Sequence, residues 1–358
     1  MTVINRDLGQ SIESVSGALA EWVVARHEEV DPDLEARYGP DGHRLWRTDV
    51  RARLCQLAQA VSVGRPELFA DAVAWAKVAF ASREVDVNDL RRSLECTAEV
   101  LREHLPADIA ERAVDHIAAV LAQFDDMPSA APSILDQPSP WKRALHDFLR
   151  ALVDNDRERA ARVLEDAVES GATLADVYLG IVCPALVEIG LLWQQNEIGV
   201  ADEHMCTAVT QHAMTRLFGR IRAQSNPTPR GLTAVIACVG GDMHDIGPRM
   251  ASELLELDGW RTVFLGANTP VEEIVNAAIS SGADLVAVAA GTSFALAGVL
   301  DLVERLRATP ETAGTKVLVG GRPFAMAPGL WREIGADGCP ANARELVALA
   351  SRVCGAAR

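Results

Sequence analysis

The chain has 358 residues, 49% of them hydrophobic, with 34 lysines and arginines against 50 aspartates and glutamates, a net charge of −16 at pH 7. That length suffices for two or three domains with cores of their own, and the acidic balance speaks against a nucleic-acid or anionic-membrane surface. Met1 to Gly17 lacks a basic start and an apolar core, no stretch approaches eighteen uninterrupted apolar residues, and the seven cysteines form no C-x-x-C. A soluble cytoplasmic protein with reduced thiols, no disulfide and no zinc site is expected.

Residues 1–124 read as an all-α domain. Helix-like periodicity runs near 9–29, 41–62, 66–81, 87–104 and 107–124, which predicts five or six helices in a fold of globin size rather than a basic winged helix. Residues 125–140 carry Pro128, Pro132, Pro138 and Pro140 among small and polar residues, the composition of an interdomain linker. Residues 141–223 return to helical spacing, as in Leu145, Leu149, Leu152 and Val163, Ala167, and predict a four-helix bundle. Late in that segment Trp193 is followed ten residues on by Glu203-His204. The residues by themselves leave open a core tryptophan and a surface Glu-His pair.

After a shorter Pro227/Pro229 linker, residues 231–354 change character. Apolar runs at Leu232 to Val239, Arg261 to Leu265, Leu285 to Ala290 and Lys316 to Val319 alternate with amphipathic stretches at Met250 to Leu257 and Pro270 to Ser280. This alternation predicts a parallel, flavodoxin-like (Rossmann-type) α/β domain. Three segments follow strand ends: Asp242-Met243-His244-Asp245-Ile246-Gly247, Gly291-Thr292-Ser293, and Gly320-Gly321. Ligands of such sheets bind beyond the carboxyl ends of the strands, where glycines let backbone approach and helix starts offer free amides. An Asp-x-His on that loop can present one ring nitrogen to a metal while the aspartate holds the other. An incidental loop histidine on a flavodoxin-like domain is the plain alternative.

The Asp242–Gly247 motif, the strand order around it and Gly320-Gly321 resemble the cobalamin-binding domain of methionine synthases, mutases, corrinoid methyl carriers and light-responsive repressors, over about residues 231 to 354. The resemblance implies base-off, histidine-on binding: His244 as lower cobalt ligand and the only metal-ligating residue, Asp242 as its hydrogen-bond partner, Gly247 allowing close approach of the nucleotide tail, and Gly320 and Gly321 lining the tail's slot. Thr292 and Ser293 are approximate counterparts of a Ser-x-Leu, since Phe294-Ala295 follows Ser293.

Trp193 with Glu203-His204 resembles the bundle of the adenosylcobalamin-dependent repressors, which implies an indole over the upper face and a polar pair at the adenosyl group. Gln194 stands where those repressors have a cobalt-capturing histidine, so a bis-histidine light state is not expected. The order helical domain, bundle, cobalamin domain is similar to the photocobilins, which implies biliverdin as a second chromophore. Tyr38, His43, Arg44, Trp46 and Trp75 offer the aromatic walls, polar group and cations a bilin requires; they fit an ordinary helix connection with core tryptophans equally well. Cys55 and Cys96 sit in apolar helical patterns, against covalent attachment, and heme through His27 or His43 stays open on a globin-like fold.

Together these resemblances imply a non-enzymatic photoreceptor binding adenosylcobalamin, with light cleaving the cobalt–carbon bond and changing conformation, homo-oligomeric state or an effector contact. The rival is a corrinoid methyl carrier serving a methyltransferase, and a third is a cobalamin storage module.

Overall fold

The computed structural model describes residues 4–355. The chain divides into two compact units, the first running to Ala130 and including Met326–Leu330, the second comprising Ala131–Ala325 and the residues from Trp331 on.

In the first unit the helical spacing folds into helices Arg6–Ser14, Ser16–Val30, Leu34–Tyr38, Gly42–Val63, Pro66–Ala81, Val87–His104 and Ala107–Gln123. Their apolar stripes meet in a core that includes Ile12, Leu19, Leu54, Phe69, Leu94 and Ile117. The stretch expected as one helix over 9–29 is two, because Val15 leaves the helical well (φ −110°, ψ 8°) between Ser14 and Ser16. Leu34–Tyr38 was not legible in the periodicity, being only five residues long. Gly64, in the left-handed region at φ 62°, ends the long helix. The buried Lys77 ammonium donates to the carbonyls of Phe124 (2.7 Å) and Met127 (2.6 Å) and so fixes the unit's last turn.

The second unit opens with a segment tied to a helical bundle. The buried carboxylate of Glu188 accepts from Ser133 Oγ (2.8 Å) and the Ile134 amide (2.9 Å), and Gln195 Nε2 donates to the Ala131 carbonyl (3.2 Å). The latter half of the proline-rich stretch is therefore docked rather than free. The bundle comprises Lys142–Val153, Arg157–Glu169, a helix from Leu174 to Gln194 with a π turn at Tyr178–Val182, and Val200–Gln224. By length and hydropathy Leu174–Gln194 could cross a membrane, but Val177, Ile181, Ala185 and Ile189 place it in the bundle core.

The α/β part has four parallel strands, β1 (Thr233–Val239), β2 (Arg261–Thr269), β3 (Leu285–Ala289) and β4 (Lys316–Gly320), in the order β2-β1-β3-β4. Both faces of β1 are buried, as a central parallel strand demands, while β2 is a half-exposed edge. The chain leaves β1 toward one neighbour and β3 toward the other. Such an order opens a crevice between the loops after β1 and β3, which are the loops carrying His244 and Gly291.

Helix Ile246–Leu257, which starts two residues after His244, is pinned to the bundle by polar contacts. Tyr178 donates its hydroxyl to Glu253, Arg249 pairs with Glu253 at 2.9 Å, and Arg249 also reaches Thr215 Oγ1 at 2.7 Å. Burial pushes the carboxyl of Glu253 above its ordinary value. Tyr178→Phe should lower unfolding free energy by about 1–3 kcal/mol, because the buried carboxylate loses a donor that water cannot replace; chemical denaturation reads this directly.

Candidate ligand-binding site

The turn after β1 is shaped by backbone. Gly241 sits at φ 85°, its amide donates to Asn268 Oδ1 (2.7 Å), and the Asn268 amide donates to the Asp242 carbonyl (2.8 Å). This turns the Asp242 side chain inward until it is 2% exposed. Its Oδ1 accepts from the His244 amide (3.1 Å) and stands 2.7 Å from His244 Nδ1; its Oδ2 accepts from the Gly291 amide at 2.6 Å. Burial alone pushes the Asp242 carboxyl up, but these hydrogen bonds together bring it below its ordinary value. A carboxylate so held fixes the proton on Nδ1 and leaves the Nε2 lone pair as the ring's free ligand. The His244 side chain is 63% exposed, and its bond to Asp242 raises its pKa.

Gly291 opens one of the three strand-end segments marked in the sequence, but its role against His244 was not read there. A Cβ there would lie 2.4 Å from His244 Nδ1 and 2.5 Å from Cγ, so only glycine lets the β3 loop close against the imidazole. The signal was present as a glycine at a strand end, but its partner lies 47 positions away in the chain. Asn268, which braces the turn, gave no signal.

Behind His244 lies a cavity of about 280 Å³, lined among others by Gly247, Ala251, Ala287, Leu318, Gly320 and Gly321. Gly321 takes φ 100°, and a Cβ on it would be 2.0 Å from the Ala290 carbonyl, whereas a Cβ on Gly247 would meet no protein atom. Glycine is thus required at 321 by the protein's own backbone, and at 247 it leaves open room. Thr292, in extended conformation, and Ser293, which opens a 3-10 turn, are not on the cavity wall. Met243 and Phe294, on the loops after β1 and β3, are 70% and 46% exposed. They place apolar surface at the crevice mouth, where a flat macrocycle can cover it.

Glu203 lies in the first turn of helix Val200–Gln224. The negative charge of Glu203 adds to the rise in the pKa of His244, and Glu203 stands 2.7 Å from His204 Nδ1. His204 is exposed, Trp193 is half-buried and Gln194 is buried.

The five candidate bilin residues have different surroundings. Trp46, 5% exposed, is a core residue in edge contact with Tyr38, His27 and Phe80. The Tyr38 hydroxyl donates to Asp89 at 2.6 Å. His43 lies on the surface between Glu21 and Glu28, Arg44 pairs with Asp41, and Trp75 is exposed. Tyr38 and Trp46 meet, whereas His43 and Arg44 face carboxylates of their own. His27 is buried with no hydrogen-bond partner at Nε2. It is grouped with Asp31 and Asp89, but Arg37 already bridges those two carboxylates. Burial pushes the Cys96 thiol up to about 11, which keeps it unreactive.

Comparison with known proteins agrees with this geometry. Residues 232–349 match the family model of the B12 binding domain, and residues 144–218 match a second B12 binding domain model, which covers the bundle. The chain is a cobalamin-binding protein. A corrinoid protein of Desulfitobacterium hafniense is 27% identical over 214 residues, covering 59% of this chain and 97% of the relative. A dimethylamine corrinoid protein of Methanosarcina acetivorans is 29% identical over 177 residues, 47% of this chain and 82% of the relative. A helix-turn-helix transcriptional repressor of Myxococcus xanthus is 32% identical over 134 residues, 37% of this chain and 42% of the repressor. The monomethylamine corrinoid protein of Methanosarcina barkeri shares the fold, with a TM-score of 0.51 at 23% identity over 60% of this chain and 99% of that one. The two B12 binding domain matches of this cobalamin-binding chain thus fall on the bundle and on the α/β half, beyond the helices of the first unit.

Proposed function

We propose that the second unit works as a corrinoid carrier, holding the cofactor from below through His244 and presenting its upper side to a partner that gives or takes a methyl group. The observation that carries this reading is coverage: the match of 214 residues spans 97% of a corrinoid protein, whereas the match to the repressor is 134 residues long and spans 42% of it. The residues fit the cofactor. Nε2 of His244 is the free lone pair for cobalt, Asp242 keeps the proton on Nδ1, and the apolar cavity bounded by Gly247, Gly320 and Gly321 takes the nucleotide tail. Thr292 and Ser293 would meet the cofactor only outside that cavity. When bound, the cofactor supplies reversible methyl attachment at cobalt. The protein's part is to orient the ring, exclude water from the tail, and leave the exposed His204 side of the bundle reachable.

A second reading, an adenosylcobalamin light receptor, is favoured by two observations. Trp193 and Glu203-His204 keep the spacing seen in light-responsive repressors, and Glu203 acts on His244 from the bundle side. One experiment separates the two. The protein is loaded with methylcobalamin or adenosylcobalamin, then followed by absorption and size-exclusion chromatography in dark and light, with and without biliverdin. The carrier predicts methylation of the reduced protein by a methyl donor and one elution volume in both conditions. A light-dependent elution shift with adenosylcobalamin, weakened in Trp193→Ala, would replace it by the receptor. A far-red band with biliverdin would assign that pigment to the first unit.

A further inference from the structure

The cavity behind His244 is not built from the α/β half alone. Leu179 and Cys183 of the bundle line it beside Met250, and the Cys183 thiol lies 3.5 Å from the Met250 sulfur. The π turn at Tyr178–Val182 brings them there. Such a turn changes the phase of the side chains along a helix, so that Tyr178 reaches Glu253 while the next residue, Leu179, faces the cavity. Gly180 backs the turn against Trp141: a Cβ on it would be 2.3 Å from the indole.

The completed wall is poor in side-chain hydrogen-bond acceptors. His244 is engaged at Nδ1 by Asp242 (2.7 Å), and the Asn342 side-chain oxygen accepts from the Glu345 amide (2.9 Å). The other lining side chains are aliphatic, proline, methionine or the Cys183 thiol. The flanking strands β1, β3 and β4 pair with one another in register, which occupies their main-chain groups.

We infer that this bundle-completed wall selects the cofactor by its lower base, taking a benzimidazole in preference to a purine with an exocyclic amine, and that Leu179 and Cys183 are the specificity-determining residues. The amine would be buried without a side-chain acceptor, and an unmet donor lowers affinity on the order of tenfold or more. The inference rests on cobalamin binding in this cavity and is independent of whether a methyl or an adenosyl group is carried.

The test titrates the full chain with cobalamin, an adenine-containing cobamide, and tail-less cobinamide, by calorimetry and tryptophan fluorescence. Cobalamin is expected to bind at least about tenfold more tightly than the adenine cobamide, with cobinamide weakest. Cys183→Ser and Leu179→Asn, each adding an acceptor, should narrow that ratio by improving the adenine cobamide. Cys183→Ser is nearly isosteric and keeps the test valid where Leu179→Asn fails to fold, with thermal melting as the control. Equal affinities for the two cobamides, or an unchanged ratio in the Cys183→Ser protein at parental melting temperature, overturns the selectivity. Cobalamin no tighter than cobinamide takes the tail out of the cavity and overturns it as well. No binding of any of the three overturns cobalamin binding itself, a separate failure.

Discussion

His244→Ala is expected to bind cobalamin more than a hundredfold more weakly than the parent and, in the reduced complex, to lose the nitrogen superhyperfine splitting of a protein-derived axial ligand. Removing a residue that only orients a metal-binding histidine costs 10–100-fold in affinity on the usual scale, and His244→Ala removes the ligand itself. Asp242→Asn should fall within that range, since the ring remains while its proton and tilt are no longer fixed by a carboxylate 2.7 Å from Nδ1. The same pair sets a pH dependence. Asp242 raises the pKa of His244 above its ordinary 6.5, and a protonated imidazole offers no lone pair. Histidine-on binding should therefore be complete above the raised value and decline as pH falls through it. In Asp242→Asn the decline should move to lower pH, toward 6.5. Parental spectra and affinity in His244→Ala would remove the imidazole from the cobalt's coordination.

What could be read in the chain, and what could not, divides by the distance over which residues act. The Asp242–His244 pair was legible because both members lie on one loop, and because alternating strands and helices put that loop at the sheet's carboxyl edge. The role of Gly291 escaped because its partner is a side chain on another loop, a relation that spacing does not encode. The π turn at Tyr178–Val182 left no mark in the apolar periodicity, though it decides that Tyr178 and Leu179 face different tasks. In the first unit, residue types suited to a tetrapyrrole were present, yet types do not guarantee convergence. Trp46 went to the core, whereas His43 and Arg44 turned to carboxylates on the surface. The Val15 break was hidden because both halves of 9–29 keep one apolar stripe.

Gly291→Ala should separate the orientation of the imidazole from its presence. Gly291 is not among the residues with positive φ, so alanine suits its backbone, and the tightest crowding is the new methyl against His244 Nδ1, Cγ and Cβ at 2.4–2.7 Å. The ring is well exposed and can swing away, which keeps the cost to folding small. That swing, however, breaks the bond from Nδ1 to Asp242, whose other oxygen stays on the Gly291 amide. Cobalamin affinity should drop 10–100-fold, as for the loss of an orienting partner, with a melting temperature near the parent's. Gly321→Ala makes the contrast, because its methyl would meet the Ala290 carbonyl at 2.0 Å from a backbone at φ 100°; there stability itself should fall. If Gly291→Ala binds cobalamin like the parent while remaining folded, close packing of the β3 loop on the imidazole has no part in holding the cofactor.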